Sequence, residues 1–344
     1  LVLADSLSIA PTFNGYSCIP YRNDDIDSRN DLESIQSWQW TEQVKPGRVV
    51  LTDYDFTRPN VNLQQQRSQA RSHKLGDMEV FAYPGYFDKE EDGEQFVRNQ
   101  MEAQLAQTRQ AAGVSDARGL ACGHVFELQG FIRTRENGQY LITGTTITVT
   151  APNLEGISNT KAKDPLPSEQ SPNTDQGAWV RCEFTAIDAK TPFRPQRLTP
   201  KPRVAGPQTA VVVGPAGEEI YTDAYGRVKV HFHWDRYGNR DGEDTCWVRV
   251  SQVWAGQNFG FQAVPRIGQE VVVDFLEGDP DQPLITGRVY NAEQKVPWTL
   301  PANKTQTGVL TRSTSGGHYE TANAIRFEDK KGAEEIWFHA EKNY

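Results

Sequence analysis

Residues 226–235 read Gly-Arg-Val-Lys-Val-His-Phe-His-Trp-Asp, and polar side chains alternate there with Val228, Val230 and Phe232. This period of two is typical of a β-strand with one buried face. Glycine-rich or acidic loops separate this run from similar ones, and no helical pattern interrupts them. We therefore predict a small closed barrel of the OB type, since closure removes exposed sheet edges. Its five candidate strands are residues 209–213, 227–234, 246–250, 270–275 and 283–289.

The composition indicates a folded chain of two to three domains with an acidic balance. The 344 residues include 45 Asp and Glu against 36 Lys and Arg, which gives a formal charge of −9. This balance argues against a whole-chain role on nucleic acid or anionic membrane, because both attract positive surfaces. No run approaches the ~18 apolar residues that span a bilayer. The chain lacks an initiator Met and stops directly after a strand-like run, so we expect a fragment.

The cysteines indicate a reducing compartment. Cys18, Cys122, Cys182 and Cys246 lie more than fifty residues apart and form no C-x-x-C pair. Their number is too low for a disulfide framework. We predict reduced thiols in a chain made in the cytoplasm.

The first two hundred residues are predicted to be rich in strands, with one helix. Short β-branched and aromatic runs at 49–51, 79–83 and 124–128 lie between turn-forming residues. Residues 60–72 are glutamine- and arginine-rich and are predicted to be a solvated loop or an extended interface segment. The spacing of Val97, Met101, Leu105 and Thr108 predicts an amphipathic helix over 94–112, closed by Gly113 and covering one mouth of a β-barrel.

Two linker-like stretches suggest how the chain is divided. Residues 151–177 are rich in Pro, Ser, Asn, Asp and Lys and are predicted to be a long exposed loop. Five prolines between 191 and 207 favour an extended backbone and a domain boundary near residue 204. We predict three regions: a β-rich domain over 1–203, the OB barrel over 204–292, and a linker with the last two strands over 293–344.

The C-terminal strands are too short to be stable alone. Residues 324–328 and 335–340 flank a charged turn at 329–332, and each run is apolar on one face. To be stable, these strands need to pack against further residues of the same chain or against another copy of themselves.

Several motifs in the barrel and the tail resemble the VgrG proteins of type VI secretion, which are similar to the hub and spike proteins of contractile phage tails. The resemblance is dense over 205–344 and weaker over 1–200. The motifs are GRVKVHFHWD (226–235), WVRVSQ (247–252), GQNFG (256–260), PRIGQEVVVDF (265–275), GDPDQP (278–283) and IRFEDKKGAEEI (325–336).

The resemblance implies a trimeric, cell-puncturing spike that delivers effectors. It implies a phage-hub-like domain over 1–203 and, within 293–344, the start of a β-helical needle. It also implies a tube of Hcp rings, a PAAR tip protein, transient contact with a target membrane, and assembly in the cytoplasm before secretion or delivery. The lysozyme domain of the phage spike has no counterpart here.

Four apolar side chains of the tail are predicted to face the axis of such a trimer. They are Ile325, Phe327, Ile336 and Phe338, whereas Arg326 and Trp337 are expected to point outward.

The barrel also carries residues that could serve chemistry. On one strand face, His231, His233 and Asp235 could chelate zinc or copper, although exposed barrel faces often carry such residues. Asp274, Glu277 and Asp279 resemble a glycosidase carboxylate set only in being acidic neighbours. The acidic loop 235–244 lacks a ligand where Tyr237 stands and lacks the helices of a calcium-binding EF-hand. No nucleophile elbow, P-loop or dinucleotide fingerprint is present, so we predict no catalytic, cofactor or metal residues and no enzyme.

Two alternatives remain open. One is the hub or spike of a phage-like contractile tail, and the other is an OB-fold binding module for an oligonucleotide or an oligosaccharide. Arg227, Lys229 and Arg249 alternate with apolar positions, as basic residues do on some nucleic-acid-binding barrels. Acidic loops flank them, so nucleic acid is not among the predicted partners.

Overall fold

The computed structural model describes residues 10–22, 33–70, 73, 75–150 and 179–343. The chain divides into two compact units, Leu1–Arg197 and Leu198–Tyr344. The described residues are mostly β with one α-helix, which confirms the predicted fold class. The whole of the predicted loop 151–177 lies outside the described residues, as does residue 178.

The first unit contains nine strands and the helix within its described residues. In chain order they are β1 (Cys18–Pro20), β2 (Ile35–Glu42), β3 (Arg48–Leu51), β4 (Gln65–Ser68), β5 (Glu79–Ala82), α1 (Glu90–Ala106), β6 (Arg109–Ser115), β7 (Val125–Gln129), β8 (Gly138–Thr150) and β9 (Trp179–Asp188).

Six of these strands form a curled sheet in the order β1-β7-β8-β9-β6-β2. Its two edge strands meet where Tyr21 pairs with Ile35 in a single parallel bridge. The six-stranded sheet, here called the half-barrel, therefore curls until its edges touch at one bridge. This agrees with the predicted hub-like barrel region.

Aromatic side chains fill the half-barrel. Trp38, Phe126, Tyr140 and Phe184 are all buried, and the Phe126 ring centre lies 5.7 Å from that of Phe184 and 6.1 Å from that of Tyr140. Burial raises the pKa of the Tyr140 hydroxyl to about 12. Side chains of this size bury large apolar areas, so they dominate the stability of the unit.

The helix exists as predicted, but its bounds differ from the predicted ones. It begins at Glu90 and ends at Ala106, and residues 109–115 form β6 instead of its last turns. Gly113 is consequently not the residue that closes the helix; it lies in β6 against the ring of Phe184. Pairing with β2 and β9 thus outweighs the helix propensity of residues 109–112.

The helix covers a small sheet and not the mouth of a closed barrel. This sheet has the order β4-β3-β5, so the predicted loop 60–72 contains the edge strand β4. Gly93 lies inside the helix, where a Cβ atom would overlap the Phe87 ring. The apolar residues between helix and sheet are Val49, Leu51, Leu63, Phe87, Val97 and Met101.

The second unit begins with the predicted barrel. Its strands are β10 (Gln208–Val213), β11 (Val228–Phe232), β12 (Trp247–Val250), β13 (Ala255–Gly256), β14 (Phe259–Gly260), β15 (Glu270–Phe275) and β16 (Pro283–Val289). Five of them close in the order β10-β11-β12-β16-β15, which confirms the closed five-stranded barrel. Its interior is lined by small and β-branched residues, among them Val212, Val230 and Ile285.

The unit ends in a three-stranded antiparallel sheet, β17 (Gln306–Leu310), β18 (Ala324–Glu328) and β19 (Glu335–His339), with β18 in the centre. The turn between β18 and β19 contains Gly332, whose positive φ of 83° favours glycine.

Candidate assembly interface

The C-terminal sheet exposes an apolar face, here called the open face. Its residues are Val309, Ile325, Phe327, Ile336 and Phe338. The sheet register places Ile325 opposite both Val309 and Phe338, and Phe327 opposite Ile336, so the five side chains share one side. Between 41% and 61% of each side chain is exposed. A contiguous apolar patch of this kind marks a contact surface in a folded protein.

The opposite face of the sheet is polar and is partly covered by its own chain. The Arg326 guanidinium lies 5.0 Å from the Trp337 ring centre and 2.8 Å from the Glu335 carboxylate. Trp298, from the segment before β17, packs over Gly308. The usual arrangement of a sheet is thus reversed, because the polar side is covered and the apolar side is exposed.

Hydrogen bonds fix the edges of this polar face. The Gln306 side chain donates to Glu328 at 3.2 Å, and the backbone N–H of Lys330 donates to the same carboxylate at 2.9 Å. A further hydrogen bond, from the Thr305 side chain, is the main cause that lowers the pKa of Glu328. The carboxylate therefore anchors the start of the turn that joins β18 to β19.

The structure brings the four predicted residues together on one face and adds one that the sequence analysis missed. Val309 lies on β17, in the part of 293–344 that was predicted to be a linker before the last two strands. The sequence did contain a signal for this strand, because β-branched residues occupy every second position at Thr307, Val309 and Thr311. Ile325, Phe327, Ile336 and Phe338 remain a prediction as trimer contacts.

His231, His233 and Asp235 do not share one face of a strand, contrary to the predicted arrangement. β11 ends at Phe232, so His233 lies in the following turn, with Nε2 3.1 Å from the hydroxyl of Thr209. His231 is buried on the strand, and its Nδ1 lies 3.8 Å from an Asp235 oxygen. In the part of the chain that the structure describes, no cluster of three or more His, Cys, Asp or Glu side chains could hold a metal ion.

The acidic residues at the end of β15 have structural contacts. Asp279 is 4% exposed and accepts hydrogen bonds from the Lys201 ammonium at 2.8 Å and from the Asp281 backbone N–H at 3.0 Å. Burial opposes ionisation, but these two donors hold the pKa of Asp279 below its usual range. Asp274 is exposed and accepts a bond from the N–H of Phe275.

Asp279→Asn is expected to lower the free energy of unfolding of the second unit by about 1–3 kcal/mol at pH 7, the usual cost of losing a buried charged hydrogen bond. Because the folded-state pKa is lowered, this stabilisation is present above the unfolded pKa of about 3.9 and is lost as the pH falls through the folded value. Urea unfolding between pH 3 and pH 7 measures the difference. Asp281→Asn is the matched control, since its carboxylate also lies near Lys201, at 3.3 Å, but its side chain is 75% exposed. An equal loss in both variants would contradict the role of Asp279.

The basic residues of the barrel have internal partners. The Arg227 guanidinium contacts the Asp223 carboxylate at 2.6 Å. The Lys229 ammonium donates to the carbonyl of Gly242 at 2.5 Å and lies 5.3 Å from the Trp247 ring centre. These contacts compete with binding to phosphate.

Among the described residues, the structure has no helix long and apolar enough to cross a membrane.

Three protein families match successive parts of the chain. Residues 1–153 match the phage tail baseplate hub (GPD) family, and residues 208–290 match the type VI secretion system/phage-baseplate injector OB domain. Residues 307–344, which hold the whole open face, match the bacteriophage T4 gp5 C-terminal trimerisation domain. Over 343 residues the chain is 46% identical to the type VI secretion system spike protein VgrG1a of Pseudomonas aeruginosa, covering 100% of this chain and 51% of that protein.

The chain belongs to the VgrG family. It spans about half the length of the VgrG relatives that it matches first. It is also 35% identical over 342 residues to the actin cross-linking toxin VgrG1 of Vibrio cholerae, covering 99% of this chain and 29% of the toxin. One solved structure is that of the E. coli c3393 protein, a component of the type VI secretion system. It aligns with 81% of this chain and 51% of that protein, at 17% identity and a TM-score of 0.42.

Proposed function

We propose that the chain is the structural core of a type VI secretion spike, a trimeric device that punctures a target cell and delivers effectors. The observation that carries this proposal is the open face. Five half-exposed apolar side chains lie within the residues that match a trimerisation domain, and burial against other copies would remove them from water.

The trimer would act with further partners. We propose that Hcp rings form the tube beneath it, that a PAAR protein caps its tip, and that effectors travel with it. Contact with the target membrane is transient, and assembly in the cytoplasm precedes secretion or delivery. The whole-chain similarity to type VI spike proteins supports these assignments.

The proposed domain organisation has three regions. They are a hub-like domain over 1–203, the OB barrel over 204–292, and the linker with the start of the needle over 293–344. The three family matches support this division.

We also propose that residues 1–344 have no catalytic activity. In support, Asp279 is bound by Lys201, and the His231 ring faces Asp235. The toxin relative in Vibrio cholerae extends far beyond the length that this chain covers.

The second candidate is the hub or spike of a phage-like contractile tail. It is favoured by the matches to a phage baseplate hub and to a phage trimerisation domain. An OB-fold module for oligonucleotides or oligosaccharides has weaker support, because Arg227 and Lys229 are bound within the barrel.

Light scattering on the full-length protein tests the proposal. We expect a mass of three copies. A monomer at micromolar concentration would contradict both spike candidates and would direct attention to the barrel as a binding module.

A further inference from the structure

A stack of three aromatic rings runs from the interior of the barrel to its surface. Phe275 ends β15, Phe232 ends β11, and Trp234 lies in the turn that follows β11. The ring centres of Phe275 and Phe232 are 6.0 Å apart, and those of Phe232 and Trp234 are 5.2 Å apart with 15° between the ring planes. Phe275 is 8% exposed, whereas Trp234 is 69% exposed. The stack therefore ends in an indole whose outer face is open to solvent.

A hydrogen bond fixes the orientation of this indole. Its Nε1–H donates to the side-chain carbonyl of Gln208, the first residue of β10, at 2.9 Å. Because an indole nitrogen can only donate, the carbonyl end of the Gln208 amide must face it. Within the described part of the chain, the NH2 end of the same amide makes no hydrogen bond. Two donors are thus available at the edge of the exposed ring.

The turn that carries Trp234 is held by its own backbone. The N–H of Asp235 donates to the carbonyl of Phe232 at 3.1 Å. The carboxylate of Asp235 accepts hydrogen bonds from the N–H groups of Tyr237 and Gly238, at 3.1 Å and 3.0 Å. The indole is therefore ordered before any ligand arrives, which lowers the entropy cost of binding.

The charge around the ring stack is acidic. Residues 235–244, which follow Trp234, contain four carboxylates and two guanidinium groups. Residues 274–281, which include Phe275, contain four carboxylates and no cation, and Lys201 pairs with two of the four. Surfaces that bind nucleic acid instead surround their aromatic rings with Lys and Arg, which neutralise phosphates. The surroundings of Trp234 therefore disfavour a ligand that carries phosphate.

A cationic ligand is disfavoured as well, because the site has neither an aromatic cage nor a free counter-charge. Among the described residues, Phe232 is the one aromatic ring stacked on Trp234, and it covers the inner face of the indole. The carboxylate of Asp235 is bound by two N–H groups and lies 3.8 Å from the ring of His231. Tight sites for organic cations instead surround the charge with several rings.

A neutral sugar fits both features of the site. A pyranose ring has one flat face of C–H groups, which packs against an indole, and a rim of hydroxyl groups, which accept hydrogen bonds from an amide. We propose that Trp234 and Gln208 form a binding site for a neutral pyranose unit of an oligosaccharide. The C–H face of the sugar lies on the exposed face of the indole, and a hydroxyl oxygen accepts a hydrogen bond from the Gln208 NH2 group.

The site is separate from the basic residues of the barrel. It uses neither Arg227 nor Lys229, so the internal partners of these two side chains do not oppose it. It goes beyond the proposed spike function and does not depend on the number of copies in the assembly. Cell-wall glycan strands and cell-surface polysaccharides both offer neutral pyranose units.

Titration calorimetry of the full-length protein with chitotetraose and with cellotetraose tests the site. We expect binding of at least one of these sugars, and saturation-transfer NMR should show contact between indole protons and sugar C–H protons. Trp234→Ala should weaken binding about tenfold. Trp254→Ala is the matched control, because it removes another exposed indole, 62% exposed, from the segment between β12 and β13. It should bind as the wild type does. A preference for chitotetraose would point to N-acetylated cell-wall strands, and a preference for cellotetraose to surface polysaccharides.

Gln208→Glu tests the second half of the site. It keeps an oxygen that accepts the indole N–H but removes the NH2 donors, so we expect an unchanged melting temperature and binding weakened about threefold. A wild type that binds neither sugar at millimolar concentration would overturn the proposal, and so would equal binding by the wild type and Trp234→Ala. Binding of a thymidine octanucleotide but of no sugar would overturn it in favour of nucleic acid. Dissociation of the assembly in Trp234→Ala, without sugar binding by the wild type, would overturn it in favour of a contact between copies.

Discussion

Ile336→Asp is expected to convert the proposed trimer of the full-length protein into monomers. Ile336 is the most exposed residue of the open face, at 61%, and faces Phe327 across the sheet. A carboxylate there would lose its hydration in the interface, and desolvating an ion costs several kcal/mol per chain. A loss of about 3 kcal/mol weakens association roughly a hundredfold. Light scattering across a dilution series measures the change.

Ala333→Asp is the control for this experiment. It introduces the same charge three residues away, in the exposed turn and outside the open face. We expect it to leave the trimer intact. Because Ile336 is exposed in the single chain, circular dichroism and barrel stability should be unchanged in both variants. An Ile336→Asp protein that remains trimeric would contradict the assignment of the open face.

Phe126→Ala is expected to destabilise the first unit by about 3–5 kcal/mol, the usual cost of removing a buried aromatic ring. Phe126 is 1% exposed and contacts the rings of Trp38, Tyr140 and Phe184. The cavity would lie at the centre of the half-barrel, where the paired strands limit collapse. Differential scanning calorimetry should show one transition shifted to lower temperature.

The matched variant for this prediction is Phe126→Leu, which keeps most of the side-chain volume and should cost less than half as much. Among the described residues, the apolar cluster around Phe126 contains none from the second unit. The unfolding temperature of the barrel should therefore not change. Equal shifts in both transitions would show that the two units do not unfold separately, and would contradict the expected result.

The OB barrel could be predicted from sequence because its strands are local signals. Each one is a short alternating or β-branched run between turn residues, and the observed bounds differ from the predicted ones by at most two residues. Gly226 and Gly268 have positive φ values in the turns, as their residue type suggests. Local pattern and final structure agree there.

The half-barrel was harder to predict because tertiary pairing decides its strands. β6 reads RQAAGVS, a sequence that contains helix formers and continues the helical spacing of α1. It becomes a strand because β2 and β9 supply hydrogen bonds on both sides. β4 reads QQRS and is a strand only as the edge partner of β3. In both segments the strand results from pairing with neighbouring strands, and the residue types alone do not predict it.

The open face was predicted in part, for a similar reason. Ile325, Phe327, Ile336 and Phe338 alternate within their own strands, and that period placed them on one side. Val309 joins them only through the register of β17 against β18. The cover that Trp298 provides over Gly308 depends on the path of the preceding segment, which no periodicity describes.

The contacts of Arg326 protect the alignment of the strands in the C-terminal sheet. Sliding β19 by one residue along β18 would turn Ile336 and Phe338 to the other side of the sheet. It would also separate the guanidinium of Arg326 from the Glu335 carboxylate and from the Trp337 ring, contacts that exist only in the observed alignment. A misaligned chain would thus lose its internal contacts before it met another copy. One arginine thereby selects, within a single chain, the strand alignment that the proposed trimer requires.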